Sequence, residues 1–212
     1  MSKAELTESE QLTVDSYEQI AEEWAQEHLT CGFWSKDFDL FRKYLPAGKV
    51  LEVGSGGGRD ARELIELGYD YTGTDISPAL ITQARRNVPS GKFFAASVYD
   101  LDFPENLFDG FWASAVLLHI PKTRIDEALS RVHLVTRNKG IGFISLKQGS
   151  GEKIIEEETT GGQKYKRLFA FYEHDEFIEV LNHNNYKVLE SAIGPVTSKT
   201  TWLTFILEVN KE

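Results

Sequence analysis

Sulfur is nearly absent from this chain, which has one cysteine, Cys31, and one methionine in 212 residues. A lone thiol cannot close an internal disulfide, and no Cys/His cluster has zinc-finger spacing. A disulfide framework and a structural zinc site are therefore excluded, no metal is expected, and a reducing cytoplasm is the expected setting. Long apolar runs are missing too; none approaches the roughly 18 residues of a membrane-spanning helix. The segment Met1 to Gln11 carries three glutamates and lacks a basic flank and apolar core, so no export signal is expected there. Basic charge is scarce: 23 Lys and Arg against 33 Asp and Glu give a net charge of −10. Such a balance repels phosphate backbones and anionic lipid, which argues against nucleic acid or a membrane surface as partner.

What is present is an ordinary globular composition, with 41% hydrophobic and 26% charged residues. One domain of this length buries roughly 70% of the surface of its unfolded chain. Tyr17, Ile20, Ala21, Trp24 and His28 recur at helical spacing in Glu8 to Leu29, predicting an amphipathic helix ahead of the core. A short helix follows over Lys36 to Tyr44. From Lys49 onward apolar runs alternate with helical periods. Strands are expected at Val50–Val53, Tyr69–Thr74, Lys92–Val98, Phe108–Ser114 and Gly140–Leu146, and helices from Asp60 to Leu67, from Ser77-Pro78, and around Ile125 to Val135. This alternation implies a parallel sheet sandwiched by helices. Gln148 to Lys166, with four glycines and a run of glutamates, reads as a mobile insertion. Beyond a helix containing Phe177 and Leu181, the runs Tyr186–Ala192 and Thr200–Val209 have no helix between them and should pair antiparallel.

Chemistry concentrates in Val50-Leu-Glu-Val-Gly-Ser-Gly-Gly-Gly-Arg59, a buried-type strand entering a glycine-rich turn and then a helix. Glycines let a ligand approach the backbone, and the helix N-terminus behind them offers free amides and partial positive charge. Seventeen residues past Gly58, Asp75 ends the second strand, where a carboxylate can accept both hydroxyls of a ribose. The frame Gly56-x-Gly58-x-x-Ala61 satisfies the dinucleotide fingerprint but starts two residues late, leaving a nicotinamide-dependent oxidoreductase as a rival. Glu52 weighs against that rival, because a buried carboxylate beside the turn repels a pyrophosphate and welcomes a cation. A ligand with a ribose at one end and a sulfonium at the other suits Asp75 and Glu52 together, and S-adenosylmethionine is such a ligand.

The stretch Glu52-Val-Gly54-Ser-Gly56-Gly-Gly58 resembles the first motif of the class I S-adenosylmethionine-dependent methyltransferases, in particular the small single-domain group. The resemblance extends from Tyr17 to about Val209. It takes in Tyr17-x-x-Ile-Ala21, Asp75-Ile76-Ser77, Phe108-Asp109, Leu118-His119-Ile120-Pro121 and the strand after Asn138-Lys-Gly140. It implies a doubly wound, Rossmann-like α/β fold with a seven-stranded sheet, six strands parallel and the last antiparallel, under N-terminal lid helices. The parts would be a helical lid at 1–47, a cofactor-binding core at 48–147, the mobile insertion at 148–171, and a C-terminal helix with an antiparallel strand pair at 172–212. By this resemblance Glu52, Gly54, Gly56 and Gly58 shape the turn around the methionine part, Asp75 holds the ribose and Ile76 packs on adenine. Ser97 and Val98 lie at the adenine edge, Ser114 faces the methionine portion, and Tyr17 and Arg59 help hold its carboxylate. Ser97 stands where the family usually has an aspartate, which leaves the Val98 amide as the expected adenine contact.

The implied reaction is transfer of a methyl group from S-adenosylmethionine to a small-molecule acceptor, with S-adenosylhomocysteine as product. His119 is the histidine next to the crevice and is a candidate general base, with a bond to a nearby carbonyl as the bland alternative. Arg167-Leu-Phe-Ala-Phe-Tyr172 loosely resembles a segment of some transfer-RNA methyltransferases, which the acidic charge opposes. A protein that binds the cofactor without chemistry is a further rival. Trp24, Trp112 and Trp202 are expected in core or lid packing.

Overall fold

The computed structural model describes residues 5–197 and 200–211. Helix α1 (Glu8–Glu27) starts at Thr7, whose hydroxyl accepts from the Glu10 amide while the Glu10 carboxylate accepts from the Thr7 amide. This reciprocal cap answers two of the amides that a helix start leaves free. Then follow α2 (Ser35–Tyr44), β1 (Lys49–Val53), α3 (Arg59–Glu66), β2 (Asp70–Asp75), α4 (Pro78–Asn87), β3 (Lys92–Ala95), β4 (Phe108–Ser114), α5 (Ile125–Val135) and β5 (Thr136–Lys147). A hairpin of β6 (Glu152–Glu158) and β7 (Lys164–Ala170) precedes α6 (His174–His183), β8 (Tyr186–Thr197) and β9 (Thr200–Val209).

Seven strands form one sheet in the order β3-β2-β1-β4-β5-β9-β8. Strands β1 to β5 are parallel to one another, and β9 runs antiparallel between β5 and β8. Since β8 is antiparallel to β9, it points with the first five, giving the six-plus-one arrangement expected. Strands β1 and β4 and the second half of β5, from Gly140, are buried nearly throughout because helices cover both faces. Phe111, Trp112, Phe143 and Phe205 are at most 1% exposed, and Trp112 stacks between Phe38 and Phe143 at ring separations of 4.2 and 3.8 Å. After β3 the chain returns to the far side of β1, so the order reverses between β1 and β4. In an open α/β sheet ligands bind outside the carboxyl ends of the strands at such a reversal.

Several elements depart from the expected bounds; β8, for one, runs to Thr197 rather than ending at Ala192. Strand β3 stops at Ala95 rather than Val98, because the Ser97 hydroxyl accepts from the Tyr99 amide and turns 98–100 into a short 3₁₀ helix. Strand β5 begins at Thr136 rather than Gly140; the expected turn is absorbed as a bulge, with Lys139 at φ 60° and a register shift opposite Phe108 and Gly110. The insertion expected over 148–171 is built as the β6–β7 hairpin. Its outer edge is answered by α1: Ser16 donates to the Lys166 carbonyl at 2.6 Å, and Thr13 accepts from the Leu168 amide at 2.9 Å. Helix side chains thus satisfy backbone groups that an open sheet edge leaves unpaired. Asp109 accepts from the Lys49 amide at 2.7 Å and pairs with Arg137 at 2.8 Å, tying β4 to the start of β1.

Candidate active site

A cavity of about 510 Å³ opens at the carboxyl ends of β1, β2, β4 and β5, roofed by α1 and the hairpin. Its size lies in the range of small-ligand sites. Tyr17, Glu52, Gly54, Gly56, Arg59, Asp75, Ile76, Ser97, Val98, Ser114 and His119 all face it. Gly58 does not. It caps α3 at φ 91°, and a Cβ there would stand 3.1 Å from the Val88 side chain, so its glycine serves close packing of α3 against α4. Gly57, not singled out from the sequence, lies under α1, where a Cβ would come within 2.6 Å of the Ala25 methyl.

At the β2 end, the Asp75 carboxyl accepts from the Gly56 and Ser77 amides, each at 2.9 Å. Although partly exposed by area, it is enclosed by protein groups, and this burial pushes it up to about 6, with Glu18 adding in the same direction. Ser77 also caps α4, accepting from the Leu80 amide at 3.1 Å while donating to Glu18 at 2.5 Å. Ile76 and Val98 supply apolar wall beside Asp75.

At the β1 end, Glu52 is 2% exposed and accepts from the Tyr71 hydroxyl. Burial, reinforced by the negative charge of Asp60, holds its carboxyl well above the usual carboxylate range. Asp60 is a member of this group that sequence reasoning missed. It is clasped by Arg59 at 2.5 and 3.1 Å and by the Trp112 indole at 3.0 Å. Its signal was available, an acid in the first turn of a helix that follows a glycine turn. Arg59 reaches on to the Ser114 hydroxyl at 3.5 Å.

At the β4–β5 end, Tyr17 is engaged by Arg167 and His119 rather than by Arg59. Arg167 donates to the Tyr17 hydroxyl, which lies 3.0 Å from His119 Nε2. His119 Nδ1 is 2.6 Å from the Leu168 carbonyl, an acceptor only, so Nδ1 carries the proton and Nε2 accepts from Tyr17. The carbonyl bond of the bland alternative is present, and the ring also faces the cavity. Burial, with Arg167 adding, pushes its basicity well below the ordinary imidazole value. Arg167 is 8% exposed, pairs with Glu157 across the hairpin at 2.5 Å, and stacks near Tyr17, Tyr165 and Phe169. Lys147, at the end of β5, also faces the cavity and was missed. The ending of an apolar strand in a lysine was the only hint of it in the sequence. Trp24 and Trp202 line the cavity from the lid and from β9, while Trp112 is core.

Comparison with known proteins follows this geometry. Residues 50–140 match the family model described as a methyltransferase domain. An uncharacterized methyltransferase of Synechocystis sp. is 32% identical over 96 residues, 45% of either chain. The malonyl-[acyl-carrier protein] O-methyltransferase of Salmonella typhimurium is 30% identical over 102 residues, 48% of this chain and 40% of that one. Each match spans less than half the length of the relative. The solved structure of Burkholderia thailandensis 1,6-didemethyltoxoflavin-N1-methyltransferase, with bound 1,6-didemethyltoxoflavin and S-adenosylhomocysteine, superposes with a TM-score of 0.74. That likeness covers 99% of this chain and 94% of the other at 20% identity, and speaks for the fold. Sheet order, glycine turn and family match define the class, a doubly wound α/β protein carrying a methyltransferase domain. Over residues 50–140 the chain is similar to methyltransferases. Among the described residues no helix is long and apolar enough to cross a membrane.

Proposed function

We propose that the protein binds S-adenosylmethionine in this cavity and transfers its methyl group to a small-molecule acceptor, releasing S-adenosylhomocysteine. The observation that carries the reading is Asp75, set by the Gly56 and Ser77 amides at the end of β2 with lone pairs left for two ribose hydroxyls. The residues present fit the group along its length. Val98 and Ile76 offer an apolar slot for adenine, Asp75 meets the ribose, and the turn at Gly54 and Gly56 admits the chain beyond it. Glu52 and Asp60 supply negative character near the positive sulfur, and Arg59, with Ser114, is placed for the methionyl carboxylate. S-adenosylmethionine, when bound, would supply an already activated methyl group.

The protein's own residues then have to orient the acceptor and exclude water, for which α1 and the hairpin form the roof. His119 acts as a neutral base whose Nε2 lone pair is reached through the Tyr17 hydroxyl. Its weak basicity suits acceptors that are themselves acidic. Calorimetry with S-adenosylhomocysteine tests the reading. Losing two hydrogen bonds to a carboxylate in Asp75→Ala should weaken binding by roughly a hundredfold. Unchanged affinity would overturn the assignment.

A further inference from the structure

Along the sheet the proposed cofactor contacts run from β3 and β2 (Val98, Asp75) to β1 and β4 (Gly54, Ser114), so the part of the cavity under β5, β7 and β9 remains for the acceptor. This part is lined by aromatic faces and by positive charge. The Lys147 ammonium sits 4.1 Å from the ring centre of Phe169 and 5.9 Å from that of Trp202, and among the described residues it makes no ion pair. The acids that reach this end are already engaged. Glu157 accepts from two nitrogens of Arg167, and Glu27 accepts from the Thr160 amide at 2.6 Å. A further donor stands in the same wall: the indole N–H of Trp34, a residue 2% exposed, has no hydrogen-bond partner among the described residues. Phe33 crosses Trp202 edge-on at 6.5 Å and completes an aromatic corner.

An unpaired, half-buried ammonium is costly to keep unless a bound group answers it. The positive excess is visible elsewhere too, since Arg167 and Lys147 both add to the burial that holds His119 neutral. Flat apolar faces beside a cation, with every nearby carboxylate taken, are complementary to one kind of molecule. We propose that the acceptor is a planar conjugated anion, a carboxylate or phenolate carried on an aromatic ring, with its negative oxygen against Lys147 and its ring between Phe169 and Trp202. This rests on the methyl-transfer reading above only for the division of the cavity into a cofactor end and an acceptor end.

The test uses the protein saturated with S-adenosylhomocysteine, titrated calorimetrically with aromatic acids (4-hydroxybenzoate, salicylate and quinoline-2-carboxylate), each compared with its neutral amide. At least one acid should bind tenfold or more tighter than its amide. In Lys147→Met that preference should fall to within about twofold, and Lys147→Arg, which restores the charge, should recover it; thermal melting establishes that each variant is folded. No acid preferred over its amide, or a preference that survives in Lys147→Met, overturns the proposal. Should S-adenosylhomocysteine itself fail to bind, the methyl-transfer reading fails instead, and the same titrations on the ligand-free protein still decide the fate of the anion site.

Discussion

At the scale of single residues, the acids of the cavity are tuned by enclosure. Asp75, pushed up to about 6, stays protonated in the folded ligand-free protein over a range where the unfolded chain is ionised. Its contribution to stability is therefore present on the acid side and lost as pH rises through about 6. On the proposed function, cofactor binding would have the opposite sign, since ribose hydroxyls would donate to the ionised form. The affinity for S-adenosylhomocysteine should be about tenfold weaker at pH 5 than at pH 7, and Asp75→Asn should remove that difference. Calorimetry across this range checks it; an equal affinity at both values would show that Asp75 is already ionised or does not touch the ribose. The placement of Asp75 at the cavity was legible in the sequence because it depends on position along one strand. Glu52 was legible as an acid in an apolar run, but its environment was not. Tyr71 lies 19 positions away and Asp60 on the following helix; the Asp60 charge raises its carboxyl further, while the hydrogen bond from Tyr71 acts in the opposite direction. The sequence treats Tyr17 and Arg59 as one carboxylate clamp, whereas folding gives Tyr17 to Arg167, 150 residues distant, and Arg59 to its neighbour Asp60. Spacing along a chain does not encode such partners.

At the scale of elements, what could be read depended on how far each element's partners lie in sequence. Strand β4 was expected at Phe108–Ser114 and occurs there, because a strand buried on both faces announces itself by composition alone. The hairpin did not. Its glycines and glutamates are conspicuous, while its strand signal, Tyr165, Leu168 and Phe169 turned inward, becomes apparent only when α1 and β6 lie against it. Helix α1 was expected as a lid, and in the structure it lies over the glycine turn. Gly57 lies beneath Ala25 with no room for a methyl group between them. Gly57 does not occupy the left-handed region, so alanine there strains the packing rather than the backbone. Gly57→Ala should cost about 1–3 kcal/mol through overpacking. Ala25→Gly should cost about 1 kcal/mol through helix propensity. Combined, the two should be less harmful than their sum, because the second removes the atom that the first strikes. Denaturant melts of the four proteins in this cycle measure the coupling, and strictly additive costs would show that α1 does not bear on the turn.

For the molecule as a whole, charge sets which partners can approach. The strongest basic cluster in the sequence, Lys164-Tyr-Lys-Arg167, is the feature that an RNA-methylating protein would use. In the fold it is largely spent: Lys164 and Lys166 lie 3.4 and 3.6 Å from Glu156 on the facing strand, and Arg167 turns inward to Glu157. Antiparallel register places these acids directly opposite the bases, since Glu156 pairs with Lys166 and Glu158 with Lys164. The fields of such exposed pairs cancel beyond a Debye length of about 8 Å at physiological salt. With a net charge of −10 around them, too few free cations remain there to displace counterions from a phosphate backbone. Bulk transfer RNA should accordingly bind no tighter than about 0.1 mM at physiological salt. Fluorescence anisotropy at several salt concentrations measures this. Micromolar affinity that falls steeply as salt rises would mean that a basic surface assembles outside the hairpin, and it would move the acceptor from small molecules to RNA.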